Sequence, residues 1–340
     1  SSNNNLSSNP FYWSYDGTVP TYVSGTYITS DNSEVKIRFS EYVYDTAGGS
    51  GVLETGDFTL SISGGSATLG SSNPTAVAKD TPTFSSRAIE LNLDGAWGLV
   101  IEDLDSDGDK DIIAAGYIGN DLNWYENDGS ANFTERPIDL NLDGVLGLAV
   151  NDIDGDGDFD IFTTAKDNDQ VALYTNNGSQ SFTKSVIDSD LDGPHSVGCN
   201  DLDDDGDMDV IVSVAIDNEV VWYKNDGAQN FTENLIDDSM DAPLNFVVID
   251  LDEDGDKDVI ATARDDDDVI WLSNDGSENF TKNTIDNNLD AARDVAVIDL
   301  DEDGDLDIVA TSATSSGHEV VWYSNDGSEN FTTNSIESSL

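Results

Sequence analysis

The chain has very little positive charge. Thirteen lysines and arginines stand against 70 aspartates and glutamates, a net charge of −57 over 340 residues. Nucleic acid is thereby excluded as a partner, because its phosphates would be repelled with no basic stripe to offset them. Adsorption to an anionic membrane surface is disfavoured for the same reason. Cysteine is nearly absent: Cys199 stands alone, so no intrachain disulfide can form. Long apolar runs are missing too. Val210–Ile216, among the longest, is interrupted by Ser213 and falls far short of the roughly 18 residues of a membrane span, so no membrane insertion is expected. His195 and His318 are the only histidines, and neither groups with Cys199 or a nucleophilic serine motif, so the chain does not read as an enzyme. The chain begins at Ser1 without Met or an apolar leader, as expected of a processed, exported chain at the cell surface or outside it.

Apolar residues are still plentiful enough, at 37%, to build a core, so the acidity does not signal disorder. The acidity is instead organised. Asp103, Asp152, Asp201, Asp250 and Asp299 each open a nonapeptide of the form Asp-x-Asp-x-Asp-Gly-Asp-x-Asp, and each follows the last by 49 residues. Other landmarks keep the same step: Asn127-Asp128-Gly129 and its counterparts, and a Phe-Thr pair at Phe133, Phe182, Phe231, Phe280 and Phe331. Within one period, short strands alternate with turn residues and no helical periodicity is sustained. The first repeat predicts strands near 98–102, 111–116, 121–127 and 133–139, with the aspartate loop joining the first two and the Asn-Asp-Gly turn closing the last two as a tight hairpin. Four strands per period of 40 to 50 residues is the grammar of a propeller blade.

The nonapeptides also carry the chemistry. Carboxylates fall at positions 1, 3, 5, 7 and 9 around a glycine at 6, which permits the sharp turn that wraps a chain round an ion. The candidate metal residues are Asp103, Asp105, Asp107, Asp109 and Asp111; Asp152, Asp154, Asp156, Asp158 and Asp160; Asp201, Asp203, Asp205, Asp207 and Asp209; Asp250, Asp252, Asp254, Asp256 and Asp258; and Asp299, Asp301, Asp303, Asp305 and Asp307. Ca²⁺ takes six to eight hard oxygens in a flexible shell, which alternating aspartates supply; Mg²⁺ prefers to keep its waters. About five Ca²⁺ ions are therefore expected. Positions 1, 3, 5 and 9 are the side-chain ligand candidates, and position 7 offers its backbone carbonyl. A solvated acidic turn is the competing reading, weakened because five carboxylates in nine residues repel strongly without a cation. An EF-hand does not fit, since positions 10–12 are strand-like, as in Ile112-Ile113-Ala114, where that loop requires a glutamate.

These repeats resemble the FG-GAP or VCBS family, whose repeats form the blades of integrin α-subunit propellers and of many bacterial surface proteins. The resemblance covers residues 84–340. It implies that the loop links the inner two strands of a blade and binds through the side chains of positions 1, 3, 5 and 9, here Asp103, Asp105, Asp107 and Asp111 and their counterparts. The Phe-Gly and Gly-Ala-Pro text that names the family is not preserved. Residues 21–69 resemble a bacterial Ig-like domain, through Ser30-Asp31-Asn32, Phe39-Ser40-Glu41 and Gly56-Asp57-Phe58-Thr59-Leu60, shortened at its later strands. The expectation is an all-β chain: an N-terminal extension at 1–20, an Ig-like β domain with its linker at 21–80, and a β-propeller of five four-stranded blades at 84–340.

Phe84-Ser85 adds a sixth copy of the Phe strand to five blades. A surplus strand edge is a template for another chain, so self-association or docking to other surface proteins is expected. The competing role is a Ca²⁺-dependent glycan-binding module, with Trp124, Trp222, Trp271 and Trp322 as stacking platforms. Their shared position in a strand fits blade packing better. Phe11-Tyr12-Trp13 reads as a docking segment or as a cover for the Ig-like domain. Asn132, Asn230, Asn279 and Asn330 are glycosylation sequons of the form Asn-Phe-Thr, which also suits a turn entering a strand, and Asn5 and Asn177 are sequons too.

Overall fold

The structure is a computed structural model that describes residues 88–89, 93–313 and 318–337, with two short strands further toward the N-terminus. The chain divides into two compact units, Ser1–Arg87 and Ala88–Leu340. In the first, β1 (Tyr27–Ile28) pairs antiparallel with β2 (Val35–Lys36). The remainder of the expected extension and Ig-like domain, the Phe84 strand and Phe11-Tyr12-Trp13 lie outside the described residues.

The second unit is five four-stranded antiparallel sheets, each contiguous in sequence. Blade 1 is β3 (Ala96–Glu102), β4 (Asp111–Gly116), β5 (Asp121–Asn127) and β6 (Phe133–Asp139). Blade 2 is β7 (Val145–Asn151), β8 (Asp160–Ala165), β9 (Gln170–Asn176) and β10 (Phe182–Asp188). Blade 3 is β11 (Pro194–Asn200), β12 (Asp209–Val214), β13 (Glu219–Asn225) and β14 (Phe231–Asp237). Blade 4 is β15 (Pro243–Ile249), β16 (Asp258–Ala263), β17 (Asp268–Asn274) and β18 (Phe280–Asp286). Blade 5 is β19 (Ala292–Ile298), β20 (Asp307–Ser312), β21 (Val320–Asn325) and β22 (Phe331–Glu337). Apart from one 3₁₀ turn at Lys166–Asn168, the described regular structure is β. This is a five-bladed β-propeller architecture.

Two details differ from expectation. The first strand starts at Ala96, because a register shift between Ala96 and Leu99 lets the pairing run past Gly98. The Asn-Asp-Gly turn is a five-residue loop rather than a tight hairpin. Asp128 organises it, its carboxylate accepting from the backbone N–H of Ser130 and Asn132 while Gly129 and Ala131 take left-handed backbone angles. The sequon side chains serve the same loops: the amides of Asn132, Asn230, Asn279 and Asn330 donate to Asp128, Asp226, Asp275 and Asp326.

The middle strands are apolar on both faces, and the period of 2 sends alternate residues to opposite neighbours. In β13, Val220 and Trp222 pack toward blade 4 while Val221 and Tyr223 pack toward blade 3's other neighbour, blade 2. Four apolar clusters follow, joining blades 1 and 2, 2 and 3, 3 and 4, and 4 and 5. The tryptophans belong to them: Trp124, Trp222 and Trp271 are buried. Polar staples repeat at the same joints. Thr164, Ser213 and Thr262 donate their hydroxyls to the carbonyls of His195, Leu244 and Arg293 on the next blade's first strand. Tyr174, Tyr223 and Tyr323 donate back to Asp139, Asp188 and Asp286 on the preceding blade's last strand.

Candidate metal centre

Each aspartate loop connects the first two strands of its blade, so the five loops recur at equivalent places. Position 1 ties the loop's own backbone. Asp103 accepts from the N–H of Asp107 at 3.1 Å and of Gly108 at 3.0 Å, and Asp152, Asp201 and Asp299 repeat both bonds. Position 5 accepts from the N–H of position 7, as Asp107 does from Asp109 at 2.9 Å. The glycine at position 6 has φ of 99° in Gly108 and 106° in Gly304, a left-handed conformation that side chains rarely adopt. A Cβ there would meet nothing within 4 Å, so the backbone angle, not crowding, demands glycine.

Position 9 begins the second strand and is fully buried in every blade. Its carboxylate bridges two segments: Asp258 accepts from Leu251 N–H at 3.0 Å and from Asn274 N–H at 2.8 Å. The same pair of bonds recurs at Asp111, Asp160, Asp209 and Asp307. Position 7 points elsewhere. Asp109 lies over the hairpin glycine Gly129, where a Cβ would come within 2.2 Å of its Oδ2, and Asp158, Asp207, Asp256 and Asp305 lie likewise over Gly178, Gly227, Gly276 and Gly327.

Carboxylate oxygens converge in all five loops, within 4.8 Å of one another. They come from Asp103, Asp105 and Asp107, from Asp250, Asp252 and Asp254, and from Asp299, Asp301 and Asp303. In the second and third loops position 9 replaces position 5, giving Asp152, Asp154 and Asp160, and Asp201, Asp203 and Asp209. Position 7 joins none of these groups. Such clusters are electrostatically costly by themselves. Burial pushes Asp160, Asp209 and Asp258 up to about 6, and raises Asp111 as well. At position 3, Asp105, Asp252 and Asp301 are raised by burial and then by neighbouring carboxylates. The donor set is all hard oxygen, and two buried oxygens, Oδ1 of Asp203 and of Asp250, have no hydrogen-bond partner. Both facts fit a bound cation.

The sequence profile of the FG-GAP-like repeat matches residues 103–163, 152–212, 201–261 and 250–310, more than half of the chain, and the chain belongs to the FG-GAP-like repeat family. No match is found among curated proteins. Similar solved structures include a Staphylococcus aureus virginiamycin B lyase, catalytically inactive and with quinupristin, at 15% identity and a TM-score of 0.47, covering 72% of this chain and 71% of that one. The V. cholerae biofilm matrix protein Bap1 matches at 17% identity and 0.44, covering 69% of this chain and 38% of its own. A periplasmic gluconolactonase of Pseudomonas aeruginosa matches at 14% and 0.46, with 69% and 68% covered.

Sequence reasoning missed the hairpin residue two places before each Phe: Ala131, Gln180, Gln229, Glu278 and Glu329. Its constant register was the available signal. It also passed over the first-strand position of His195, whose ring contacts Trp97 edge-on at 6.1 Å and donates from Nδ1 to the Leu244 carbonyl at 3.1 Å. His195 and Trp97 border a cavity of about 530 Å³ lined by the first strands of blades 1 to 4. Burial pushes His195 down to about 4. Its folded value lies below the unfolded one near 6.5, so the stability it permits at neutral pH is lost as pH falls from about 6.5 through 4. His195→Leu, the residue used at Leu146 and Leu244, is expected to flatten that loss by up to roughly 3 kcal/mol. Thermal melts of both forms across this range measure it; parallel pH curves would refute it.

Proposed function

We propose that this chain is an extracellular structural or adhesive module, stapled by Ca²⁺, that associates with further copies of itself. Calcium is the ion that suits flexible, all-carboxylate loops, and five such ions would offset ten of the 57 net negative charges. The chain is read as non-catalytic, its converging carboxylates being committed to the loops. No described helix is long and apolar enough to cross a membrane.

One observation carries the self-association. The position after the first aspartate is buried under the next blade at Leu104, Leu202 and Leu251, at 2–3% exposure, whereas Leu300 in blade 5 is 44% exposed. At the other end Leu99 is 62% exposed, while its counterparts Val197, Phe246 and Val295 are 6–9% exposed. Every internal joint mates one of these faces with the other, so the two left over are complementary by repeat identity. A head-to-tail contact of this kind propagates unless it closes into a ring. Negative-stain microscopy and light scattering in millimolar Ca²⁺, with a chelated control, test it. Ordered assemblies are expected from the native chain and only single particles from Leu99→Asp or Leu300→Asp, both altered at exposed sites. Single particles from the native chain would overturn the reading.

A second reading, a Ca²⁺-dependent glycan-binding module, is favoured by Trp97. Unlike the buried tryptophans, this residue is 57% exposed, and it lines the 530 Å³ cavity with Ser196 and Asn245. An aromatic beside polar groups is a sugar-stacking arrangement. Binding on a glycan array that Trp97→Ala abolishes would favour this role over assembly.

A further inference from the structure

The five hairpin residues that precede each Phe hold φ between 57° and 65°, and four of them carry long polar side chains. Two of those side chains reach the aspartate loop of the preceding blade directly. Gln180 of blade 2 donates from Nε2 to Asp105 Oδ2 at 3.4 Å, and Gln229 of blade 3 donates to Asp154 Oδ2 at 3.1 Å. Both acceptors are position 3 of a loop one blade back. In blade 4 the residue is Glu278, which accepts from Lys224 Nζ at 2.9 Å, and Lys224 also pairs with Asp203, again position 3. In blade 5 it is Glu329, which stands in the same register to the loop of Asp250. Blade 1, which has no described loop before it, carries Ala131 at this place, with no side chain to extend.

A second observation marks the joint as a ligand site. Asp203 has a side chain only 9% exposed, and its Oδ1 has no hydrogen-bond partner. It borders a cavity of about 250 Å³ lined by the loop of blade 3 and the hairpin of blade 4, Glu278 included. A glutamate aimed at an acidic loop repels it unless positive charge lies between them. Lys224 supplies that at Asp203; at Asp252 the corresponding residue is Ser273.

We propose that Gln180, Gln229, Glu278 and Glu329 each close the cation site of the preceding blade, so that an ion bound in one blade clasps the next blade onto it. The inference rests on the reading of the loops as Ca²⁺ sites. Glutamine suits the task because a half-turn of its amide exchanges the N–H donor seen here for an oxygen donor. The loop of Asp299 has no following hairpin among the described residues and is left as the open member of the set.

Calorimetric titration of the full chain with CaCl₂, from which prior ions have been stripped, tests the proposal. The native chain is expected to show four comparable sites and one weaker. The double variant Gln180→Ala with Gln229→Ala is expected to weaken two sites about tenfold and leave the others unchanged, and Gln229→Glu, which keeps an oxygen donor, is expected to restore its site. Unchanged affinities in the double variant, or an equal fall at every site, would overturn the clasp while leaving calcium binding intact. No heat of binding in the native chain would overturn the calcium reading itself. Both glutamines sit on hairpins, Gln180 exposed and Gln229 half-buried, and a far-UV spectrum matching the native chain checks that the variant folds.

Discussion

Chelation is expected to lower the melting temperature of this chain by on the order of 20 °C or more. Each carboxylate cluster holds like charges within 4.8 Å, and burial has already raised several of them. An ion that binds only the folded loop at a thousand times its dissociation constant stabilises by about 4 kcal/mol. For a unit of this size each kcal/mol is worth roughly 2–4 °C, so losing even two of five sites reaches the stated shift. Scanning calorimetry with and without chelator measures it, and calcium added back should restore the melt better than magnesium. A melt indifferent to chelation would remove the cation from the stability of the fold.

The second large effect separates two aspartates of one loop, at positions 9 and 7. Asp258→Ala strands two buried backbone donors, those of Leu251 and Asn274, and deletes a ligand candidate. An unsatisfied buried donor costs about 1–3 kcal/mol, so a loss of roughly 2–6 kcal/mol is expected even without calcium. Asp256→Ala, two residues earlier, removes a carboxylate that overlies Gly276 and borders the 250 Å³ cavity without holding a buried backbone donor, and is expected to stay within about 0.5 kcal/mol. Urea unfolding of the two variants in chelator reads the difference directly. Equal losses would mean that position 9 does not act as the bridge described. Asp258→Asn is expected to fall between them, because its amide offers one acceptor oxygen where the carboxylate offers two.

The contrast between positions 7 and 9 also marks where the residues stop being legible. Period, blade count and the bounds 111–116, 121–127 and 133–139 are carried by local punctuation: aspartate loops before the second strand, Asn and Gly after the third. Such signals need no knowledge of distant neighbours. Alternating aspartates likewise announce a cation site. They do not reveal that position 9 also bridges two strands, since that depends on backbone donors 7 and 16 residues away at Asp258. The Asn-Asp-Gly text suggests a tight turn, but Asp128 accepts from the N–H of Ser130 and Asn132 and holds a longer loop, a choice that text leaves open. Contacts between blades were the least visible. Gln180 and Asp105 are 75 residues apart, and only the repeat register hints that they meet.

Because every blade is one uninterrupted stretch of chain, with no strand lent between the first and last sheets among the described residues, each pairing spans a short separation in sequence. Low contact order favours fast folding, and a blade can begin to form as soon as its 49 residues are free. A chain threading outward would thus acquire its structure in order, one blade at a time, taking up an ion with each and leaving no early strand waiting for a late partner. Length then becomes adjustable: inserting or deleting a whole period keeps every register, which is the kind of change that gene duplication supplies.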